Sequence, residues 1–341
     1  MKKIFVLAAM FGMMLGISGA GTVLASEEAK YRSELTNERI SASLMDQRPV
    51  AVIVDNESIA LPHYGIAEGD IVYELMNSTA NGRITRLMVL VKDWRAIRQM
   101  GNIRSVRTSN IPLAAEWNAI LCHDGGPFYV DAFFAKAYAA QHFSGGFSRV
   151  NNGKPSEFTE YILSGDLDAK FAQYGFPMNY NEFASEDPTH FRFASVKNPV
   201  NLTEVYGNQA ATANEVVLPF PHNRSMLRYN AQTGTYDYYE YDQIHADAED
   251  GQVATFKNVL IQDCTFEVFD ENGYMNYNVV DSGRAGYYLT NGYAVPITWT
   301  KSSETDLTRY YDMDGNEIKI NTGKTYITLV PDDTWADLAI Y

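Results

Sequence analysis

Val50-Ala51-Val52-Ile53-Val54, opened by Pro49 and closed by Asp55-Asn56, is the stretch that decides the fold. An unbroken β-branched run stopped by a turn pair predicts a short strand, and folded structure begins abruptly there. Working outward, Asp70 to Met76 and Ile84 to Lys92 read as further strands, with Asn81-Gly82 between them as a hairpin signal. After Arg107 the period changes to helical, with Ser109 or Asn110 able to cap and Pro112 in the first turn. A strand over Asn118 to His123, a helix over Asp131 to Phe143 ended by Ser144-Gly145-Gly146, and a short helix over Ser156 to Leu163 complete the expected first half.

From about Glu215 the pattern is strands alone. Tyr229 to Tyr241, Gln252 to Phe269, Tyr274 to Val280 and Gly286 to Leu289 alternate aromatic and β-branched residues, cut by Asn272-Gly273, Asn291-Gly292 and Asp314-Gly315. The fold class expected is therefore α+β, with helices segregated from strands. The expected division is an N-terminal α/β domain over 48–195, a linker over 196–214 and a β-rich C-terminal domain over 215–335.

The other end of the chain speaks to location. Lys2 and Lys3 precede an almost unbroken apolar run from Ile4 to Ile17, and Val23-Leu24-Ala25 offers a signal-peptidase site, so 1–25 reads as a signal peptide cleaved after Ala25. A retained membrane anchor is the alternative for the same stretch. No cysteine follows it to take a lipid. Residues 26–47 are polar and without apolar period, as a tether would be.

Composition excludes some partners. The formal charge of −15 becomes −17 once Lys2 and Lys3 leave with the leader, a balance that repels nucleic acid and anionic membrane, so membrane contact is expected through a retained leader alone. Cys122 and Cys264 could form a single bridge between the halves or remain two buried thiols. Against that acidic background, Arg83 to Arg107 holds seven basic residues (Arg83, Arg86, Lys92, Arg95, Arg98, Arg104, Arg107) and the single acid Asp93. Such an island wants an anionic ligand or carboxylates of its own. In the first case Arg86, Arg104 and Arg107 converge with Thr85 and Ser105 on phosphate or carboxylate. In the second they pair with Asp55, Asp70 and Glu74.

Other motifs carry less. Cys122-His123-Asp124 lists a nucleophile, a base and an orienting acid, but neighbours on a strand point to opposite faces, so a core Cys122 with His123 facing a cleft is expected. Asp312-Met313-Asp314-Gly315-Asn316 begins like a calcium loop with its glycine too early, which suits a turn better. No spacing of histidines or cysteines implies a metal, and no cofactor motif is present. The tyrosines 236, 238, 239 and 241 beside His245 and Asp247 could be cross-strand packing or a platform for sugar or peptide.

At these residues the chain resembles a known family. Val54-Asp55-Asn56, Gly69-Asp70-Ile71-Val72-Tyr73-Glu74, Ile84-Thr85-Arg86-Leu87-Met88 and Gly101-Asn102-Ile103-Arg104-Ser105-Val106-Arg107 are similar to successive signatures of the YerB-like proteins, the DUF3048 family. Tyr287-Tyr288-Leu289-Thr290-Asn291-Gly292 through Ile297-Thr298-Trp299, and Tyr310-Tyr311-Asp312 through Gly323-Lys324-Thr325, are similar to its C-terminal domain. The resemblance implies an exported, often lipid-anchored protein of Gram-positive bacteria, with an N-terminal domain of layered ββα type followed by a β-rich one. It supplies no reaction. The chain departs from the family pattern in lacking the lipid-modified cysteine, in Leu61-Pro62-His63 where Arg-Pro-Gln is usual, in Asn102 where proline is usual, and over Ser78 to Asn81.

The candidate ligand-binding set is thus Asp55, Asn56, Asp70, Tyr73, Glu74, Thr85, Arg86, Arg104, Ser105, Arg107 and His123. The expected function is a non-enzymatic module that docks an anionic cell-envelope component or an envelope-synthesis protein. Hydrolysis of envelope material by Asp55, Asp70 or Glu74 as acid and base is the alternative.

Overall fold

The computed structural model describes residues 31–187 and 189–341. The expected leader over 1–25 lies outside the described residues, among which no helix is long and apolar enough to cross a membrane.

A mixed 11-stranded sheet runs through both halves of the chain. Its first-half strands are β1 (Val50–Asp55), β2 (Ile71–Met76), β3 (Thr85–Val91), β4 (Ile120–His123) and β5 (His142–Ser144). Its second-half strands are β6 (Asn258–Cys264), β7 (Ser282–Thr290), β8 (Tyr293–Thr300), β9 (Arg309–Tyr311) and β10 (Thr325–Pro331). The spatial order is β9-β8-β7-β6-β10-β2-β3-β1-β4-β5, with Ala211–Thr212 added beside β8. The last long strand, β10, lies between the halves, parallel to β2 through Ile71↔Thr325 to Leu75↔Leu329 and parallel to β6 through Asn258↔Thr325 to Cys264↔Pro331. β1, β2 and β10 are buried along their whole length. Continuous apolar runs such as Val50 to Val54 are what a strand covered on both faces requires.

The Asn-Gly signals fold as read. Asn81 (φ 50°) and Gly82 (φ 66°) turn β2 into β3, and Asn291 (φ 54°) with Gly292 (φ 79°) turn β7 into β8. Positive φ at both central residues matches the twist of the flanking strands. Asp312 Oδ1 accepts the backbone N–H groups of Asp314 and Asn316, so the calcium-like run is a side-chain-stabilised turn.

Helices are short: α1 (Asn110–Ala115), α2 (Val130–Phe134), α3 (Asp166–Tyr174) and α4 (Leu202–Tyr206). Two expected helices are cut down. Of Asp131 to Phe143, Val130–Phe134 is helical, and His142–Ser144 leaves to pair with β4, where Phe143 is fully buried against Phe171 and Phe176. Of Ser156 to Leu163, one 3-10 turn forms before Glu160–Leu163 pairs with Gln99–Gly101. Sheet pairing of buried Phe143, Tyr161 and Ile162 outweighs alanine-rich helical propensity.

The stretch 26–47, expected as a tether, is from residue 31 onward packed on the body. Leu35 is wholly buried, Glu34 pairs with Lys92 at 2.8 Å, and the Gly323 N–H donates to the Thr36 carbonyl at 2.8 Å. The 196–214 segment is laid on the sheet too, through buried Leu202 and the Ala211–Thr212 pairing. Both cysteines are free and buried, so neither bridges the halves.

A second sheet, with Glu215–Val217, Met226–Asn230 and Thr235–Glu240 at its centre, covers part of the first. Alternation turns Tyr236 and Tyr238 into the core, while Tyr239 packs under the Arg228 guanidinium. The tyrosine run is therefore cross-strand packing, not a platform.

A buried ion pair ties the halves together on another side. Glu116, at the end of α1, takes Lys301 Nζ at 2.9 Å, the Thr308 hydroxyl at 2.7 Å and the Tyr73 hydroxyl at 2.9 Å. Burial alone would raise its pKa, but Lys301, His190 and Thr308 outweigh that and hold it well below the usual carboxylate range. A carboxyl depressed in the folded state stabilises above its unfolded pKa of about 4.3 and loses that contribution as pH falls below it. Glu116→Ala, which strands the Lys301 ammonium, should cost about 3–5 kcal/mol in urea unfolding at neutral pH. It should also remove part of the stability loss between pH 5 and 2, taken roughly as the titration window of such a group.

Candidate functional site

Antiparallel pairing of β1 with β3 sets Asp55 directly opposite Arg86. The segment after the Gln99–Gly101 strand brings Arg104 close enough for its N–H to donate to the Ile53 carbonyl at 2.9 Å, alongside β1. The result is a cleft of about 390 Å³ lined by Asp55, Thr85, Arg86, Arg104 and Arg107, with Glu57, Asn77, Ser78, Ala80, Asn81 and Ile84 from the same half. Glu271, Asn272 and Tyr274 close it from the second half. Arg86, Arg104 and Arg107 thus line one cleft, together with Thr85.

Most of the basic island is neutralised, largely by acids distant in sequence. Arg83 forks onto Asp333 at 2.8 and 2.6 Å, Lys92 meets Glu34, Arg95 meets Asp168 at 2.8 Å and Arg98 meets Glu249 at 2.6 Å. Arg104 pairs with Asp55 at 2.5 Å and with Glu157 at 3.0 Å. Arg86 and Arg107 differ: among the described residues neither has a carboxylate within ion-pair distance. Arg86 gives Nη1 to the Ser105 carbonyl. Arg107 gives Nη1 to the Val106 carbonyl at 3.0 Å and Nε to the Asn77 carbonyl at 3.4 Å, and its plane lies 4.3 Å from the Tyr274 ring centre. Burial, then the charge of Arg107, brings the Arg86 pKa down to about 9; burial brings Arg107 down to about 10. Backbone carbonyls share these charges without cancelling them, and among the described residues Nη2 of each takes part in no hydrogen bond.

The remaining members of the expected set go to different places. Ser105 contributes its carbonyl, not its hydroxyl, to Arg86. Glu74 and Asn56 lie fully buried beneath the cleft. Glu74 Oε1 accepts the hydroxyls of Thr85 and Ser225, each at 2.6 Å, and Oε2 accepts Tyr238 at 3.3 Å and Tyr326. Burial raises its pKa and these hydroxyls oppose the rise. Asn56 donates to the Thr85 hydroxyl at 2.9 Å and is held at its carbonyl by Asn223 and Tyr241.

Three expected residues do not join the site. Asp70 stands at the opposite end of β2, accepting the Lys92 N–H at 2.6 Å, with burial pushing its pKa up to about 6. Tyr73 points to the other face of the sheet, to Glu116, as the strand period of 2 demands beside Glu74. His123 does not face a cleft: it is buried, stacked on Phe134 and hydrogen-bonded to Gly125 and His142, with burial taking its pKa down to about 4. Burial pushes the Cys122 thiol far up, which removes it as a nucleophile.

Sequence reasoning missed Tyr274, Glu271 and Asn272, whose Asn272-Gly273 signal marked a hairpin without showing what the turn would touch. That turn meets the first half directly, the Thr79 N–H donating to the Gly273 carbonyl at 2.9 Å and Ser78 Oγ to the Asn272 carbonyl at 2.7 Å. It missed a cluster of His63, Glu240 and His245 too, because the two histidines are 182 residues apart in the chain.

With the geometry in place, comparison with known proteins gives the family. Residues 35–177 match the N-terminal domain, and residues 216–327 the C-terminal domain, of the family described as protein of unknown function (DUF3048). The chain belongs to this family. It is 24% identical over 313 residues to the "Putative lipoprotein YerB" of Bacillus subtilis (strain 168), covering 89% of this chain and 87% of the relative. A crystal structure of the YerB protein from Bacillus subtilis shares the fold, with a TM-score of 0.75 at 22% identity over 91% of this chain and 99% of that one.

Glu74→Ala would leave four buried hydroxyls without their acceptor and should cost about 2–4 kcal/mol in denaturant unfolding. Glu74→Gln, which keeps an acceptor oxygen, should cost less.

Proposed function

We propose that the protein is an exported, non-enzymatic accessory module of the cell envelope that docks an anionic group, phosphate or carboxylate in chemistry, in the cleft between its two halves. One observation carries the reading: of the seven basic residues in the island, Arg86 and Arg107 line a common cleft and, among the described residues, have no carboxylate within ion-pair distance, although Asp55, Glu57 and Glu271 line the cleft too. Arg104, fixed by Asp55 and Glu157, forms the rigid wall beside them. An incoming anion would take hydrogen bonds from Nη2 of both arginines, lie beside the edge of Tyr274, and offset the burial and the lesser mutual repulsion that lower both pKa values. Export is supported by the basic and apolar leader and by the lipoprotein designation of the relative. An envelope-synthesis protein could present the same anionic group as an envelope polymer does.

Acid–base hydrolysis has less behind it. Asp55 is committed to Arg104, Asp70 is at the far end of β2, and Glu74 is closed in by four hydroxyls.

Arg86→Ala and Arg107→Ala should each weaken retention of the purified protein on isolated cell envelopes about 10- to 100-fold, the loss of one or two charge-assisted hydrogen bonds. Retention of the native protein should fall as salt is raised. Arg107→Lys, which keeps the charge over Tyr274, controls for packing. Unchanged retention with both arginines removed would end this reading, as would a loss that tracks a fall in melting temperature and is not rescued by lysine.

A further inference from the structure

We infer that His63, His245 and Glu240 form a binding site for a divalent transition-metal ion of the zinc type, set behind the arginine cleft. His63 comes from the loop after β1, and the other two come from the end of the Thr235–Glu240 strand and the segment beyond it. His63 Nδ1 is 2.8 Å from His245 Nε2, and Glu240 Oε1 is 3.4 Å from His245 Nε2 and 3.7 Å from His63 Nδ1. A tetrahedral ion with bonds of 2.0–2.2 Å separates its ligand atoms by about 3.4 Å. The triangle present brackets that value, so an ion would enter by spreading the two rings slightly.

The second observation is what these groups lack. All three are buried, and neither oxygen of Glu240 has a hydrogen bond in good geometry, nor does Nδ1 of His245. Burial, then the nearby charge of Glu74, pushes the Glu240 pKa well up against the easing of the Tyr238 hydroxyl and Asn56 amide, and burial takes His63 well below its ordinary value and His245 down to about 4. An unpaired buried carboxylate costs several kcal/mol, and a dication cancels that cost while neutral imidazole is the form that ligates. His63 is pre-oriented as well: its Nε2 lies 2.7 Å from the Asp55 carbonyl, which places the proton there and leaves the lone pair on Nδ1. The two ligand-bearing loops are pinned to each other by Gly65 N–H donating to Asp247 Oδ2 at 2.6 Å and Ala248 N–H donating to the His63 carbonyl at 2.8 Å.

A side opening of about 230 Å³, lined by Leu61, Pro62, Gln243 and Ile244 beside the three ligands, gives an entry path and room for water as a fourth ligand. Two imidazoles and one carboxylate suit zinc, cobalt or iron(II), and not calcium or magnesium, which favour all-oxygen sites. Asp55 joins this site to the cleft, its carbonyl taking His63 and its carboxylate taking Arg104.

The test is titration of the chelator-treated full chain with zinc chloride by calorimetry, and with cobalt(II) by visible absorption. One ion per chain, an intense tetrahedral cobalt spectrum and a raised melting temperature are expected. Glu240→Gln and His245→Asn should each weaken zinc binding by at least about 100-fold, and Arg107→Ala should leave it unchanged. Absence of binding by the folded wild-type chain would overturn the proposal and leave a proton-sharing His–Glu cluster. So would binding that survives both ligand substitutions. Should a variant fail to fold, the wild-type cobalt spectrum decides: the weak octahedral bands of the hydrated ion would count against the site.

Discussion

The insertion of Thr325–Pro331 between Ile71–Met76 and Asn258–Cys264 is the constraint on which the rest of the molecule depends. It is a parallel pairing on both sides, closed late in the chain, and it turns two sets of strands into one sheet. Parallel strands demand cover on both faces. The second sheet supplies part of it, which places Tyr238 over Tyr326 and both hydroxyls on Glu74. A carboxylate at the centre of the sheet is tolerated because four hydroxyls from three separate regions reach it at once.

The cleft is a consequence of that junction. Asn56 and Thr85 form its floor by bonding to the Glu74 network, and Asp55 and Arg86 rise above it on adjacent strands. The Glu271-to-Tyr274 turn closes the far side only because the second half is held in register by β10. Charge follows the same logic. An acidic protein has carboxylates to spare for its arginines, and Arg83, Arg95 and Arg98 find theirs at exposed positions where the pairs contribute little to stability. Arg86 and Arg107 are the exceptions, half-buried or buried and, among the described residues, hydrogen-bonded to backbone carbonyls rather than to carboxylates, an arrangement that costs stability.

The α+β class and the local elements were legible in the sequence where one physical signal dominated. Val50 to Val54 could hardly be anything but a strand, and Asn81-Gly82 and Asn291-Gly292 could hardly avoid hairpins, because the positive φ these turns need is cheap at those residues. Legibility failed where long-range pairing competed with local propensity. Phe143 and Ile162 leave helical patterns for strands because each finds an edge to pair with and a core to fill. The polar run before Gln47 looked like a tether because Leu35, the one fully buried apolar side chain among its described residues, has no periodic companions; its polar contacts go to partners such as Lys92 and Gly323 that no local pattern reveals.

By itself the sequence determined the strands, the turns and the existence of a concentrated set of guanidinium groups, since these rest on φ preferences, side-chain period and composition, all of which are local. Only the tertiary structure decided which charges remain unpaired, that Tyr73 and His123 belong to packing, and that His63 meets Glu240 and His245. Pairing and burial are properties of distances between residues far apart in the chain, and those distances are set by where β10 inserts.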